Sequence, residues 1–413
     1  MSAPTATDPR KGPDIPALTG LRGVAAVWVV LFHRHMNDHA GSEPIWIALR
    51  HGYLAVDVFF VLSGYVMALS YGRMFAAGLR FDVYRTFLLR RVARIYPVYL
   101  VVTLAVYFSP LVNPDGLAQA FSGAQLRWLA VNLAMVQSWG FSSPFIGPTW
   151  SISTEAVAYL LFGLLALATL YRRPRWALAV GLGCWLVALA LTMLVEPPSF
   201  PRWGPLDVAW GHAPWPLVRC LAEFTLGLAT YRVGQTRQMA AIARTRAVPW
   251  AVAVAAVSLL FFPGTDLAFL ALIPCGILVL ALDDGPVTRF FRLKPVLVAG
   301  ELSYSIYLIH APLLNLRHLG RALHSDVAGL VLFYAVLVAA AWACFRFIEE
   351  PGRRLVRSWE PAISGGTLSA AIATALRSLA DRLAPPEPAG DALYRSLADT
   401  AQDQDPAPSA RSG

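Results

Sequence analysis

Ten stretches of this chain are apolar almost without interruption for about twenty residues, with neither the alternation of a half-buried strand nor the polar face of a surface helix. They fall at 17–36, 52–72, 95–112, 149–171, 175–195, 216–233, 247–263, 266–283, 296–316 and 327–348. About 20 apolar residues are what a helix needs to cross a bilayer. Runs this long and unalternating exclude a membrane β-barrel. The pattern predicts an all-α fold, a polytopic membrane helical bundle. An eleventh run, Leu126–Trp139, is shorter and interrupted by Asn132 and Gln137. Its length fits a re-entrant or interfacial segment better than a crossing.

The charges between the runs set the direction. With the N-terminus inside and the eleventh run not crossing, 22 Lys and Arg residues fall on the inner side and six on the outer. A crossing at the eleventh run would turn every later basic loop outward, against the positive-inside rule. The expected arrangement is ten transmembrane helices with both termini cytoplasmic. Residues 1–13 read as a disordered arm with no signal-peptide cleavage pattern, and 14–357 as the membrane domain. Leu368, Ile372, Leu376, Leu379 and Leu383 recur at helical spacing, which predicts a short amphipathic helix within 358–384. From 385 to 413 a Pro/Ala/Asp/Ser-rich tail reads as disordered.

Composition adds little to this. Of 413 residues 57% are hydrophobic and 14% charged, far from a soluble domain. The net charge of +9 would raise nucleic acid as a partner in a soluble protein. Here loop topology accounts for it, so the bilayer is the partner and nucleic acid is not. Cys184, Cys220, Cys275 and Cys344 are scattered through apolar runs with no CxxC pair, so neither a metal site nor a disulfide frame is expected.

The candidate chemistry lies in ionisable residues inside apolar runs, which are costly there and normally face a protein interior or a wet cavity. Arg22 and His33 stand eleven residues apart. At ~100° per residue they share one helix face, roughly 16 Å apart along the axis. Alone, either reads as a snorkelling arginine or a core histidine; together they suggest a polar path through the first span. Asp57 in the second span and Glu155 in the fourth lie about a turn and a half from the outer end. His33, Asp57 and Glu155 are therefore expected in one layer of the outer half, with a carboxylate orienting the histidine. A contact that merely locks helices is the alternative for Asp57. Arg90, Arg91 and Arg94 cluster in the inner loop 80–97; they suit phosphate, although taken alone the cluster reads better as positive-inside anchoring. Ser63-Gly64 reads as a close-packing point between helices. Arg219 and Glu223, at i and i+4, read as a structural pair. The ninth span, with Glu301, Ser303, Tyr304, Ser305, Tyr307 and His310, is the most polar and reads as a cavity wall or as helix glue.

Five of these elements resemble the acyltransferase-3 family of integral-membrane acyltransferases. They are Arg22…His33 after Pro16-Ala17-Leu18-Thr19-Gly20-Leu21; Val56-Asp57-Val58-Phe59-Phe60-Val61-Leu62-Ser63-Gly64; Arg90-Arg91-x-x-Arg94-Ile95-x-Pro97; Pro148-Thr149-Trp150-Ser151-x-x-x-Glu155; and Ser303-Tyr304-Ser305-x-Tyr307-x-x-His310. The resemblance implies a ten-span bundle. It also implies transfer of an acyl group, usually acetyl from acetyl-CoA, to an extracytoplasmic sugar hydroxyl.

Joined to the topology, the resemblance gives an expected mechanism. The basic cluster Arg90, Arg91 and Arg94 meets the phosphates of cytoplasmic acyl-CoA, a donor substrate, and no permanently bound cofactor is expected. The pantetheine arm follows the path from Arg22 to His33. His33, oriented by Asp57 or Glu155, takes the proton of a carbohydrate hydroxyl, or carries the acyl group itself. Trp150, Ser151, Ser303 and Tyr304 shape the acceptor pocket. A transporter of a small organic solute along the same path is the alternative reading, and a structural or sensory membrane protein a third.

Overall fold

The computed structural model describes residues 15–35, 43–109, 116–140, 142–196, 202–209, 213–314 and 326–358. The expected N-terminal arm, the amphipathic segment past Ser358 and the tail lie outside the described residues. Among the described residues every regular element is helical. In order they are α1 (Pro16–His35), α2 (Pro44–Arg50), α3 (Ala55–Tyr71), α4 (Phe81–Tyr107), α5 (Leu117–Ala120), α6 (Gly123–Leu133), α7 (Thr149–Thr169), α8 (Pro174–Leu194), α9 (Trp215–Gly234), α10 (Arg237–Ala243), α11 (Ala247–Leu259) and α12 (Asp266–Leu282). They continue with α13 (Pro286–Phe291), α14 (Lys294–Glu301), α15 (Ser303–Leu313), α16 (Asp326–Cys344) and α17 (Glu350–Ser358). A π-helical stretch, Phe345–Glu349, joins the last two.

Five of the helical stretches are long and apolar enough to cross a membrane, or seven if each of two bent pairs is one span. This is a multi-pass membrane protein. Its outer circumference carries exposed Trp176, Leu178, Leu182 and Leu186 on α8 and Val331, Val338 and Trp342 on α16. Such a surface needs lipid around it.

Helix α9 sits centrally, against α3, α7 and α8. It approaches α3 backbone to backbone at Gly64 and Gly227. A Cβ on Gly64 would run into the carbonyl of Phe224, and one on Gly227 into that of Val61. The close-packing point expected at Ser63-Gly64 is thus present, with Gly227 as its counterpart. Helix α1 comes equally near α14, where Gly300 meets the backbone of Thr19.

Three expectations change. The basic stretch 80–97 is no loop. It is the first half of α4, a single 27-residue helix with Pro97 inside it. Nothing between Phe81 and Tyr96 breaks a helix, and the side of Pro97 is covered by Gly352. The ninth run is not one straight span: α14 and α15 meet at 69°. The seventh, expected over 247–263, is helical only as α11, to Leu259, and the preceding α10 meets it at 71°. At the α14–α15 break the Ser303 hydroxyl donates to the Gly300 carbonyl at 2.7 Å, satisfying an acceptor that the helix ladder releases. The eleventh run forms only α6, 11 residues or about 16 Å. The chain then turns at Met135, whose φ is +58°. It returns against α4 and α7, where the Gln137 amide donates to the Tyr99 hydroxyl at 3.1 Å.

Candidate active site

Charge and aromatic rings converge between α1, α3, α4, α7 and α15 on a cavity of about 170 Å³. Helical spacing explains who reaches it. Arg91 and Arg94 are three apart on α4; Ser151, Glu155 and Tyr159 recur every fourth residue of α7, one stripe of that helix. Arg22 enters from α1, Ser63 from α3, and Ser303, Tyr304 and Tyr307 from α15. Val56, Phe59, Phe60 and Val66 of α3 add apolar lining. Three arginines therefore share one partly open space with the single carboxylate of Glu155.

Arg91 and Arg94 are each held from behind. Arg91 donates to the Tyr71 hydroxyl and lies 4.6 Å over its ring. Arg94 is ion-paired with Glu349, which is 1% exposed. Glu349 also accepts from Ser305 Oγ and from Arg353 Nη2, each at 2.9 Å. The Arg94 guanidinium stands 6.0 Å from the Tyr304 ring centre, and the Tyr304 hydroxyl donates to the Ile95 carbonyl at 2.7 Å. Beside Glu155 the Ser63 and Tyr159 hydroxyls lie 3.4 Å apart, and Arg91 and Arg94 act on it electrostatically. The Ser151 and Tyr307 hydroxyls are 2.7 Å apart, and both reach the Pro148 carbonyl at 3.0 Å.

The three groups expected in one catalytic layer have separate partners. Asp57 is fully buried and paired with Arg219 of α9, whose Nε is 3.1 Å from Oδ1 while Nη2 meets Oδ2. The same Nε is 3.3 Å from Glu223, so the expected Arg219–Glu223 pair is present as part of a buried triad. The rings of Tyr53 and Trp150 flank Arg219 at 5.7 and 5.8 Å. Asp57 does not orient His33, because an arginine fork is the stronger partner for a buried carboxylate than a neutral imidazole. His33 donates from Nδ1 to the Val29 carbonyl at 2.9 Å and meets His310 Nε2 at 3.3 Å.

Of the residues singled out from the sequence, Arg22, Arg91, Arg94, Ser151, Glu155, Ser303 and Tyr304 line the cavity. His33, Asp57, Arg90 and Trp150 do not. Trp150 packs on Arg219 and on Phe60, 5.9 Å between ring centres. Arg90 is half-buried on α4. Sequence reasoning gave Ser63 only a packing role, placed Tyr307 and His310 only within the polar ninth span, and gave no role to Tyr159 or Glu349. Tyr159 was accessible to it, one helical turn from Glu155 on the same face. The partner of Arg94 was not: 255 residues separate it from Glu349.

Comparison with known proteins gives these positions a setting. Acyltransferase MdmB of Streptomyces mycarofaciens is 28% identical over 374 residues, which cover 84% of this chain and 94% of that protein. Peptidoglycan O-acetyltransferase OatA of Listeria monocytogenes is 26% identical over 369 residues, 82% of this chain and 56% of OatA. O-acetyltransferase OatA of Staphylococcus aureus is 24% identical over 365 residues, with 82% and 57% covered. The chain thus spans a little over half the length of these two O-acetyltransferases. No solved structure matches it. The family model described as "Acyltransferase domain" matches residues 15–347, nearly the whole described bundle, and with that the chain belongs to the acyltransferase-3 family of membrane acyltransferases.

Proposed function

We propose that this protein moves an acyl group, acetyl first of all, from cytoplasmic acyl-CoA to a hydroxyl of a carbohydrate acceptor outside the membrane. One observation carries the reading: the partly open slot between α1, α3, α4, α7 and α15, lined by three arginines and by apolar side chains. Guanidinium forks suit phosphates, and an apolar wall suits the thin arm of an acyl thioester. The acceptor class rests on the printed names of the two O-acetyltransferases, one of them a peptidoglycan O-acetyltransferase.

The topology proposed is ten spans with both ends cytoplasmic. Besides the seven spans counted above, α4, α9 and α12 have lengths of 27, 20 and 17 residues. The ionic residues along the middle of α4 and α9, namely Arg91, Arg94, Arg219 and Glu223, are packed inward, so these helices complete the set. Arg91 and Arg94 then lie toward the inner side and His33 toward the outer.

In the proposed reaction the donor phosphates meet Arg91 and Arg94, with Arg90 beside them on the same turn, and the pantetheine arm runs from Arg22 toward His33, carrying the thioester to that end. His33 takes the proton of the acceptor hydroxyl, the freed oxygen attacks the acyl carbon, and the C–S bond breaks. The proton ends on the departing CoA sulfur. A thioester is already activated, so position and proton removal are the main demands. Glu155 balances the arginines. Ser151, Ser303, Tyr304 and Tyr307 offer hydroxyls to the reacting groups. Trp150 is assigned to packing the buried triad rather than to a sugar face.

The test is transfer of label from acetyl-CoA, supplied to inverted membrane vesicles, onto envelope glycan. His33→Gln is expected to reduce transfer by about 10²–10⁴-fold at unchanged protein level. Full transfer by His33→Gln would overturn the reading. Unchanged glycan with a lost solute flux would support the transporter instead.

A further inference from the structure

The geometry points to His310 as the residue that positions His33 and shares its charge, where a carboxylate would be expected. This rests on His33 acting as the general base. His310 has no exposed surface and stands on α15 directly behind the half-buried His33 of α1. The two ring centres are 5.0 Å apart and the rings are tilted by 44°. Ala26 and Val30 of α1 pack with Ile306 of α15 in one apolar cluster, which fixes the register of the two helices.

Counting hydrogens fixes the tautomers. The Val29 carbonyl can only accept, so His33 Nδ1, 2.9 Å away, carries a proton. His310 Nε2, 3.3 Å from that same nitrogen, is then a second acceptor for one N–H. Its own proton must sit on Nδ1, which has no side-chain partner among the described residues. What remains on His33 is a bare Nε2 lone pair, the atom that a base uses.

When that lone pair takes the acceptor's proton, His33 becomes an imidazolium. Its Nδ1–H bond to His310 becomes charge-assisted, and the second ring takes part of the positive charge. A carboxylate does this in serine hydrolases. Here the nearest candidates by depth are taken elsewhere: Asp57 pairs with Arg219, and Glu155 lies with Ser63 and Tyr159 in the field of Arg91 and Arg94. The proton leaves His33 for the CoA sulfur as the C–S bond breaks, so the pair returns to its starting state.

The experiment uses the full-length protein in native membranes with two variants. His310→Phe keeps a ring but cannot accept a hydrogen bond; the amide oxygen of His310→Gln can reach the place of Nε2. The first readout needs no substrate: the rate at which diethyl pyrocarbonate modifies His33, read by mass spectrometry of its peptide. His310→Phe is expected to slow modification by roughly five- to tenfold and His310→Gln to restore it within about twofold. The second readout is acyl transfer. In His310→Phe, kcat is expected to fall roughly 10–100-fold while KM for acetyl-CoA stays within about threefold, with most of kcat recovered in His310→Gln. Equal modification of His33 in wild type and His310→Phe overturns the inference, as does an equal loss in both variants. A shifted modification rate in a protein that transfers no acyl group leaves the pair standing and overturns the proposed reaction. Should His310→Phe fail to accumulate, His310→Asn, whose shorter amide cannot reach, takes its place against His310→Gln.

Discussion

Asp57, Arg219 and Glu223 are each at most 1% exposed, and one guanidinium serves two carboxylates. Removing one partner of such a group leaves a charge without compensation, which costs about 3–5 kcal/mol. Arg219→Met, which strands both carboxylates, is therefore expected to lower thermal stability in detergent sharply, and Arg219→Met combined with Asp57→Asn and Glu223→Gln to recover part of the loss. Equal stability of the single and triple variants would show that the triad does not hold α3 to α9. Half of this arrangement was legible in the sequence. Arg219 and Glu223 are one turn apart on one helix, so their pairing follows from spacing alone. Asp57 is 162 residues from Arg219, and no local rule connects them. For the same reason the sequence offered Asp57 to His33, a neighbour by depth, although the arginine claims it.

At the level of elements, run length gave the helices and their order but not their bends. α1, α7, α8 and α9 fall within one or two residues of the expected spans. The break at Leu302 was hidden inside one run, because hydropathy measures lipid compatibility and is blind to direction. The basic half of α4 was hidden for the converse reason: arginines end an apolar run without ending a helix. Glycine told more. Gly64 and Gly227 let α3 and α9 touch along their backbones, with no room for a methyl group on either. Gly64→Val must push the two helices apart and is expected to destabilise the fold by about 1–3 kcal/mol or more, seen as a lower melting temperature of the purified protein. Gly183 on α8, with open space around it, is the control: Gly183→Val should leave that temperature within a degree or two.

For the whole molecule, the proposed orientation places the turn between α3 and α4 inside and the turn between α11 and α12 outside. Ala77 and Pro263 are exposed residues of these turns. Pro263→Cys is expected to react with a membrane-impermeant maleimide on intact cells, and Ala77→Cys only after permeabilisation. Labelling of both from the same side would refute the ten-span arrangement. The site as a whole was partly readable. Arg22, Arg91, Arg94, Ser151, Glu155, Ser303 and Tyr304 were all singled out from the sequence, because a charged or hydroxyl group in an apolar run demands company. Which of them share one space depends on how five helices cross, and a linear chain does not carry that.

Arg94 owes its aim to Glu349, a residue near the end of the last helical hairpin. A ribosome delivers that carboxylate only after every other wall of the slot has left the exit tunnel. During synthesis the bundle can therefore insert helix after helix while its guanidinium remains unaimed. The aim of Arg94 then arrives in a single closing step, with the last hairpin.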